Sequence, residues 1–470
     1  MITSIGNRIT IEDPSAELRE WAKENLEFQN PAYEKKLRMG FWTGNVPKKL
    51  ILYEWDGGKL ILPFGVIREI TPMAMKGDLR LLFHNDEMKV DYGEPVPLYD
   101  YQEEAMRMMV KKKYGILKSA AGSGKTQIGI GIIKAIGERA LWLCHTRDLL
   151  IQSKERAERY MDAGLIGTIT EGKVNIGEGV TFATVQTMAN LDLLLYRNAW
   201  DVIIVDECHR AGASASTFTR YERVLNNLCA RHKYGLTATP ERSDGLIKAT
   251  FALLGGVVWE VPEEKIADRI TKASVKKVTT DADVTDDCLN TDGTINYVRL
   301  VNHLTEDMER NKLIVRKIME EKEHSCLILS ERLVHLEMLR NLLPYEMQEK
   351  SAFINGKMTS KKGKAEREQA IEDMRAGRKK YLFASYSLAK EGLDIPNLDR
   401  LFMASPVKFS SVVIQSIGRI ERSCEGKAKP IAYDFVDDRI GFCERAYRER
   451  KRHYRKIGCE VLEGLTAWEK

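Results

Sequence analysis

Lys125 and Thr126 close the run Gly122-Ser123-Gly124-Lys125-Thr126, an order of residue types suited to holding phosphate. Glycines let backbone N–H groups approach phosphate oxygens, and a helix beginning at the lysine adds its positive dipole end. Lys125 is then set to reach β- and γ-phosphates, and the Thr126 hydroxyl to bind Mg²⁺. The first glycine of the general pattern is replaced by Ser119. Further on, Asp206 and Glu207 follow the apolar run Val202-Ile203-Ile204-Val205. Asp206 would hold Mg²⁺ through its water shell, and Glu207 would orient or deprotonate an attacking water. An Asp-Glu pair alone is commonplace at a surface turn. After a buried strand and downstream of a phosphate loop, it predicts nucleoside triphosphate hydrolysis.

A third group lies far from both. In "IQSIGRIERS", Gln415, Arg419 and Arg422 are spaced to share one helix face. Taken alone, an amide and two guanidinium groups on a helix read as a solvated face.

These groups must be positioned by elements, and the sequence lays the elements out. Residues 1–95 read as a unit of their own: a strand in "RITIED", a helix from Asp13-Pro14 into "SAELREWAKENL", and a hairpin at Asp56-Gly57-Gly58. Between 96 and 262, "YGILKSA", "ALWLCH", "GVTFATVQ", "WDVIIVDE" and "YGLTAT" alternate with helical stretches, the pattern of a parallel sheet covered on both faces. Residues 263–305, rich in Asp and Lys and without a clear period, are expected to be an interdomain connection. A second α/β unit over 306–470 contains "SCLILSE", "SAFING", "KKYLFAS", "DRLFMASP" and "KPIAYDFVD", and a basic helix nearly closes it.

Bulk composition sets the class. The 470 residues are 43% hydrophobic and 30% charged, enough for two or three globular domains. The net charge of +5 favours a polyanionic partner only through local patches. Eight scattered cysteines without a C-x-x-C pair argue against a zinc site or disulfide framework. "MITSIGNRIT" lacks a signal-peptide core and no apolar run approaches membrane-spanning length, so the expectation is a cytoplasmic protein of a bacterial or phage-infected cell.

The ordered series "YDYQEEA", "AAGSGKT", "HTRDLL", "TFATVQT", "VDECH", "GLTATPERSDG", "ASYSLAKEGLDIP" and "QSIGRIER" resembles the motifs of superfamily 2 helicases, most closely the XPB-like and phage UvsW-like DNA helicases. The resemblance spans roughly residues 96–440. It implies an α/β fold of two tandem RecA-like parallel-sheet domains with a small α+β N-terminal domain, and an ATP hydrolase using ATP and Mg²⁺. On the matching positions it implies that Gln102 pairs with adenine, with Gly122, Ser123, Gly124, Lys125 and Thr126 around the phosphates and Gly392 and Asp394 near the nucleotide and ribose. His209, Thr237 and Thr239 would couple the nucleotide to the nucleic-acid track. Gln415, Arg419 and Arg422 would act with Lys125, Asp206 and Glu207 in catalysis, the arginines as fingers that neutralise transition-state charge. Thr146, Arg147, Thr184, Gln186 and Ser385 would contact strand phosphates, which are read without regard to sequence. Cys144-His145 depart from the usual less polar residue and proline at the first of these loops.

The implied function is ATP-dependent movement along DNA or its remodelling, in the 3′→5′ direction. DNA that is single-stranded, forked or branched is the expected partner, and one chain suffices as a monomer. The alternatives are an RNA helicase, or the ATPase motor of a restriction, nuclease or strand-annealing complex. No PD…(D/E)xK cluster occurs in the first 95 residues, so a nuclease or repair activity would come from a separate chain.

Three features admit plain explanations. Residues 443–458 carry seven Lys/Arg against two Glu, and Tyr447 and Tyr454 could dock this helix while the charges face water. Arg38, Phe41 and Trp42 could stack on bases, although core packing is the expectation. Lys361, Lys362 and Lys364 could touch phosphates or be a solvated loop.

Overall fold

The computed structural model describes residues 2–465 except 45, 75–76, 84–88, 121, 213–214, 241–246, 267–270, 357, 359, 391–392, 394, 408–409, 423 and 425. Two compact units divide the chain, Met1–Ile266 and Ala267–Lys470. Among the described residues no helix is long and apolar enough to cross a membrane.

The first unit is built on an eight-stranded sheet. Its order is Lys173–Asn175, Ile166–Thr170, Val180–Thr184, Ala140–Cys144, Val202–Val205, His232–Thr237, Tyr114–Lys118 and Val257–Glu260. All neighbours are parallel except the edge strand Lys173–Asn175. Every residue of Ala140–Cys144, Val180–Thr184 and Val202–Val205 is buried, as expected of strands covered on both faces. Because the strands are parallel, the chain leaves after Lys118, Cys144, Thr184, Val205 and Thr237 at one carboxyl edge, where open α/β sheets place their sites.

Residues near the N-terminus form a second, five-stranded sheet ordered Glu54–Asp56, Lys59–Pro63, Arg8–Glu12, Ile2–Ile5 and Asp78–Leu81. The Asp56–Lys59 hairpin turns through Gly57 and Gly58, at φ 52° and 85°, a left-handed pair that two glycines adopt without strain. Ser15 caps the helix Ala16–Leu26 by accepting from Leu18 N, and Leu18, Ala22 and Leu26 are buried on one face. This sheet shares a core with the large one. Asn7 donates to Asn226 O, Arg197 donates to Asn7 Oδ1 at 3.0 Å, and the buried Lys233 donates to Asn7 O at 3.2 Å and Leu225 O at 3.0 Å. At Gly65 the two backbones meet: a Cβ there would lie 2.4 Å from Gly255 N and Phe251 O.

The second unit carries a seven-stranded, all-parallel sheet: Ser351–Ile354, Tyr381–Ser385, Cys326–Ser330, Arg400–Met403, Ile431–Val436, Ser274–Thr279 and Glu460–Leu465. Ser274–Thr279 therefore corrects the expectation of a connection over 263–305, since it pairs on both sides inside this sheet. Its period is masked by lysines with lateral partners. Lys276 lies over the Tyr433 ring and Lys277 is 3.1 Å from Asp438. Behind the sheet Arg310 and Asp437 form a fully buried pair at 2.7 Å, with Arg310 also donating to Ala404 O. Removing one partner from such a pair costs about 3–5 kcal/mol.

The basic helix Gly441–Lys456 docks on this sheet. Tyr447 and Tyr454 are buried, and Arg450 and the Tyr454 hydroxyl both bond the buried Asp434.

Candidate nucleotide and nucleic-acid site

Tyr114–Lys118 leads into the phosphate loop, and the helix Lys125–Ile136 starts directly after it with Gly124 at φ 79° as its cap. Gly122 also has positive φ, so two of the glycines serve conformations that side chains resist. The loop is cross-braced. Ser119 Oγ donates to Ser123 Oγ at 2.6 Å and Ser123 Oγ to Ala120 O at 2.7 Å. Thus the serine in place of the first glycine is a strut of the loop. Lys125 is almost buried, its amine 3.4 Å from Ser119 O, 3.3 Å from Ala120 O and 4.0 Å from Glu207. Thr126 is partly exposed on the first turn of that helix.

Gln102 adjoins the same loop. It is buried in the helix Asp100–Lys112, donates to Ser123 O at 2.9 Å and accepts from Tyr99 N at 3.0 Å. A Cβ at position 124 would lie 2.3 Å from its Nε2, so Gly124 also makes room for this amide. Both ends of the Gln102 amide thus engage protein backbone in this conformation.

Asp206 and Glu207 end the Val202–Val205 strand, next to the strand that precedes Thr237. Asp206 is buried; it accepts from Ser153 Oγ at 3.3 Å and from Glu207 N at 3.0 Å. Burial, and then the neighbouring Glu207, push its carboxyl above the ordinary range, while Lys125 opposes them. Glu207 has φ 47°, a left-handed conformation that an ordinary side chain adopts at a cost, and such outliers concentrate at functional sites. Its carboxylate lies 3.2 Å from His209 Nδ1, which is also 2.9 Å from Thr237 Oγ1. Thr237 Oγ1 accepts from Thr239 N, and Thr237 O accepts from Ser119 N. His209, Thr237 and Thr239, expected to act in coupling, therefore share one hydrogen-bonded circuit with Ser119. Among the described residues there is no cluster of three metal-ligating side chains. One hydroxyl and one carboxylate instead suit a cation completed by phosphate oxygens and water.

Ser153 escaped the sequence reading. It lies on the helix Arg147–Ala157, between buried Leu150 and Ala157 on the inward face. A small polar residue on an apolar face was the available signal.

The groups expected to contact a strand follow adjacent strands, because Cys144 and Thr184 are register partners. Thr146 caps the helix Arg147–Ala157 through Leu149 N, and half-exposed Arg147 is 3.4 Å from Glu171. Thr184 bonds Thr187 at 2.9 Å, while Gln186 donates to His145 O at 2.7 Å and ties the two loops together.

In the second unit Ser385 ends its strand, with its hydroxyl 2.9 Å from that of Ser387. Gln415 and Arg419 lie on the helix Ser410–Ile420, and Arg419 donates to Ala389 O at 3.0 Å and Leu393 O at 3.3 Å. Arg422 lies beyond the helix end, which corrects its placement on the shared helical face. The chain turns there as the buried Glu421 carboxylate accepts from Ala273 N at 3.0 Å. Gly392 and Asp394 lie outside the described residues, as do the side chains of Lys361 and Lys364; Lys362 is exposed.

Known proteins resemble this chain in sequence and in fold. Residues 95–242 match the family described as type III restriction enzyme, res subunit, and residues 309–424 match the helicase conserved C-terminal domain. The DNA 3′-5′ translocase XPB2 of Sulfurisphaera tokodaii is 26% identical over 405 residues, covering 77% of this chain and 90% of the relative. Among solved structures, Saccharomyces cerevisiae Dbp5 bound to RNA and ADP BeF3 superposes with a TM-score of 0.57 at 16% identity, over 86% of this chain and 94% of that one. The type ISP restriction-modification enzyme LlaBIII bound to DNA gives 0.56 at 16% identity, over 79% of this chain and 32% of that one. These two likenesses establish the fold, tandem RecA-like domains. With both helicase families matched in order along one sequence, the chain is an ATP-hydrolysing helicase, similar to the XPB-like members of superfamily 2.

Proposed function

We propose that this protein is an ATP-dependent DNA translocase that moves 3′→5′ and displaces or remodels strands as it goes. The observation that carries this reading is the single carboxyl edge of the first sheet. It gathers the phosphate loop, Asp206 and Glu207, the His209–Thr237 link, and the Thr146, Arg147, Thr184 and Gln186 group. Nucleotide chemistry and strand contact on one edge can be coupled through short paths. DNA as the track, and the direction, are supported by the activity named for the archaeal relative.

In this reading Lys125 holds the β- and γ-phosphates, Thr126 and Asp206 hold Mg²⁺, and Glu207 positions the attacking water. The bound cation offsets the burial that raises Asp206. Arg419 and Arg422 neutralise charge on the γ-phosphate during turnover, and Gln415 faces the same phosphate as a neutral hydrogen-bonding group. Gln102 holds the loop and offers its amide to adenine once that loop opens around nucleotide, with Gly392 and Asp394 serving the ribose side. Ser385 continues the phosphate contacts in the second unit.

The test is the steady-state ATPase rate without nucleic acid and with single-stranded DNA, duplex DNA, forked DNA and matched RNA. Strong stimulation by DNA, graded by structure, is the expected result. Stimulation by RNA alone would transfer the enzyme to an RNA track, and a rate indifferent to every polymer would remove the translocase reading.

A further inference from the structure

The segment Leu37–Gly44 presents large apolar side chains to water in unusual concentration. Leu37 is 62% exposed, Met39 54%, Phe41 59% and Trp42 84%, the last the most exposed large apolar side chain among the described residues. A soluble protein rarely groups such side chains without something to cover them.

The backbone beneath them is ordered by local rules. The helix Pro31–Arg38 ends in a paired cap: Phe41 N donates to Lys36 O at 2.9 Å and Gly40 N to Leu37 O at 3.1 Å, with Gly40 at φ 67°. That cap fixes the chain direction immediately before the two aromatics and turns them away from the helix. Val46 N donates to Thr43 O, closing a turn after them. The root is clamped by the antiparallel strands Glu27–Gln29 and Lys49–Ile51, with Asn30 bonded to Lys48 O and Pro47 O.

The indole has a defined seat. A Cβ at Gly44 would lie 2.6 Å from Trp42 Cζ3 and 2.9 Å from Cε3, so the ring rests against the bare α-carbon of a glycine at φ 48°. Apart from this contact the ring is open to solvent. Along the sequence of this segment the charge has one sign. Residues 35–50 contain Lys35, Lys36, Arg38, Lys48 and Lys49 and no Asp or Glu. At the root the carboxylates Glu27 and Glu34 lie 2.9 Å from Lys49 and 3.4 Å from Arg38.

Flat π-faces rimmed by cations fit unpaired bases on a polyanionic backbone. A membrane-inserting loop would need a broader apolar face, and a protein partner would need no such exclusion of acids. We infer that Phe41 and Trp42 form a stacking platform for unpaired DNA bases, with Lys48 contacting the adjoining phosphates. This deepens the nucleic-acid motor reading and rests on it.

The test is fluorescence anisotropy of the full chain with a labelled 20-mer of dT and with a blunt duplex of equal length, over a salt series. One aromatic–base stack is worth about 1–3 kcal/mol, so Trp42→Ala is expected to weaken dT binding by about 5- to 150-fold. Duplex affinity and thermal midpoint should hold, and Trp42→Phe should recover most of the loss. Phe41→Ala should behave like Trp42→Ala, whereas Lys48→Gln should lower the slope of log affinity against log salt. Alanine variants that bind dT within twofold of wild type would overturn the platform while leaving the motor reading standing. Equal losses on dT and duplex would also overturn it. A wild-type chain that binds neither DNA would overturn both.

Discussion

His209 Nδ1 stands 2.9 Å from Thr237 Oγ1 and 3.2 Å from the Glu207 carboxylate, so one ring nitrogen faces two groups with opposite demands. A protonated Nδ1 donates to Glu207. An unprotonated Nδ1 accepts from the Thr237 hydroxyl and turns a lone pair toward the carboxylate. The ring thus links Glu207 to Thr237, whose carbonyl also accepts from Ser119 N. His209→Ala is expected to break this link. Measured with and without single-stranded DNA, its ATPase should show a stimulation ratio reduced toward unity; an undiminished ratio would exclude His209 from the coupling.

Lys125→Ala should abolish hydrolysis, because it removes the amine set beside the loop carbonyls of Ser119 and Ala120. Arg419→Ala should leave ATP affinity within a few-fold and lower turnover by about 10³-fold or more, the scale of an arginine finger. Nucleotide binding by a fluorescent analogue, set beside single-turnover rates, separates the two variants. Near wild-type turnover in the Arg419 variant would remove the finger assignment.

Asp206 owes its ionised form partly to Ser153. The hydroxyl donates to the carboxylate, and burial pushes the other way. In Ser153→Ala the carboxyl should take a proton more readily, and the acid limb of the turnover–pH profile should move toward neutrality. Activity should fall severalfold near pH 6 and by much less near pH 8. A profile parallel to wild type at all pH values would mean that Ser153 has no hold on Asp206.

Lys233 is buried beneath the N-terminal sheet, and desolvation lowers its amine from 10.5 to about 7. Below that value the amine is charged in folded and unfolded chains alike. Between about 7 and 10.5 the unfolded chain binds the extra proton, so this residue makes stability rise with pH. Each unit of that window contributes up to ~1.4 kcal/mol. In thermal melts at pH 7 and pH 9, wild type should gain relative to Lys233→Met. Parallel pH dependence of the two midpoints would mean that the amine stays charged inside the fold.

The parts legible in sequence were those where one physical rule acts alone. Apolar runs such as "ALWLC" and "VIIVD" are near-continuous because both faces are covered, and they led straight to the edge carrying Asp206 and Glu207. Gly57-Gly58 spelled its turn. Ser274–Thr279 was hidden because Lys276 and Lys277 find lateral partners in Tyr433 and Asp438, so the apolar period fails although the strand is there. Trp42 misled in the opposite sense: aromatic character suggested a core, and only the cap after Arg38 turns it outward. The span of "IQSIGRIER" looked helical throughout, but the inward pull on Glu421 ends the helix before Arg422. Ser153 reaches Asp206 across 53 positions of sequence, a pairing that no local pattern could announce.

The contact of Gly65 with Phe251 and Gly255 carries a consequence for synthesis. Its partner backbone emerges from the ribosome roughly 190 residues later, a delay of about 10–40 s at bacterial to eukaryotic elongation rates. During that interval the Gly65 backbone lacks the Phe251–Gly255 segment that it finally meets. The first strands made thus receive this neighbour only after nearly the whole first unit has been synthesised.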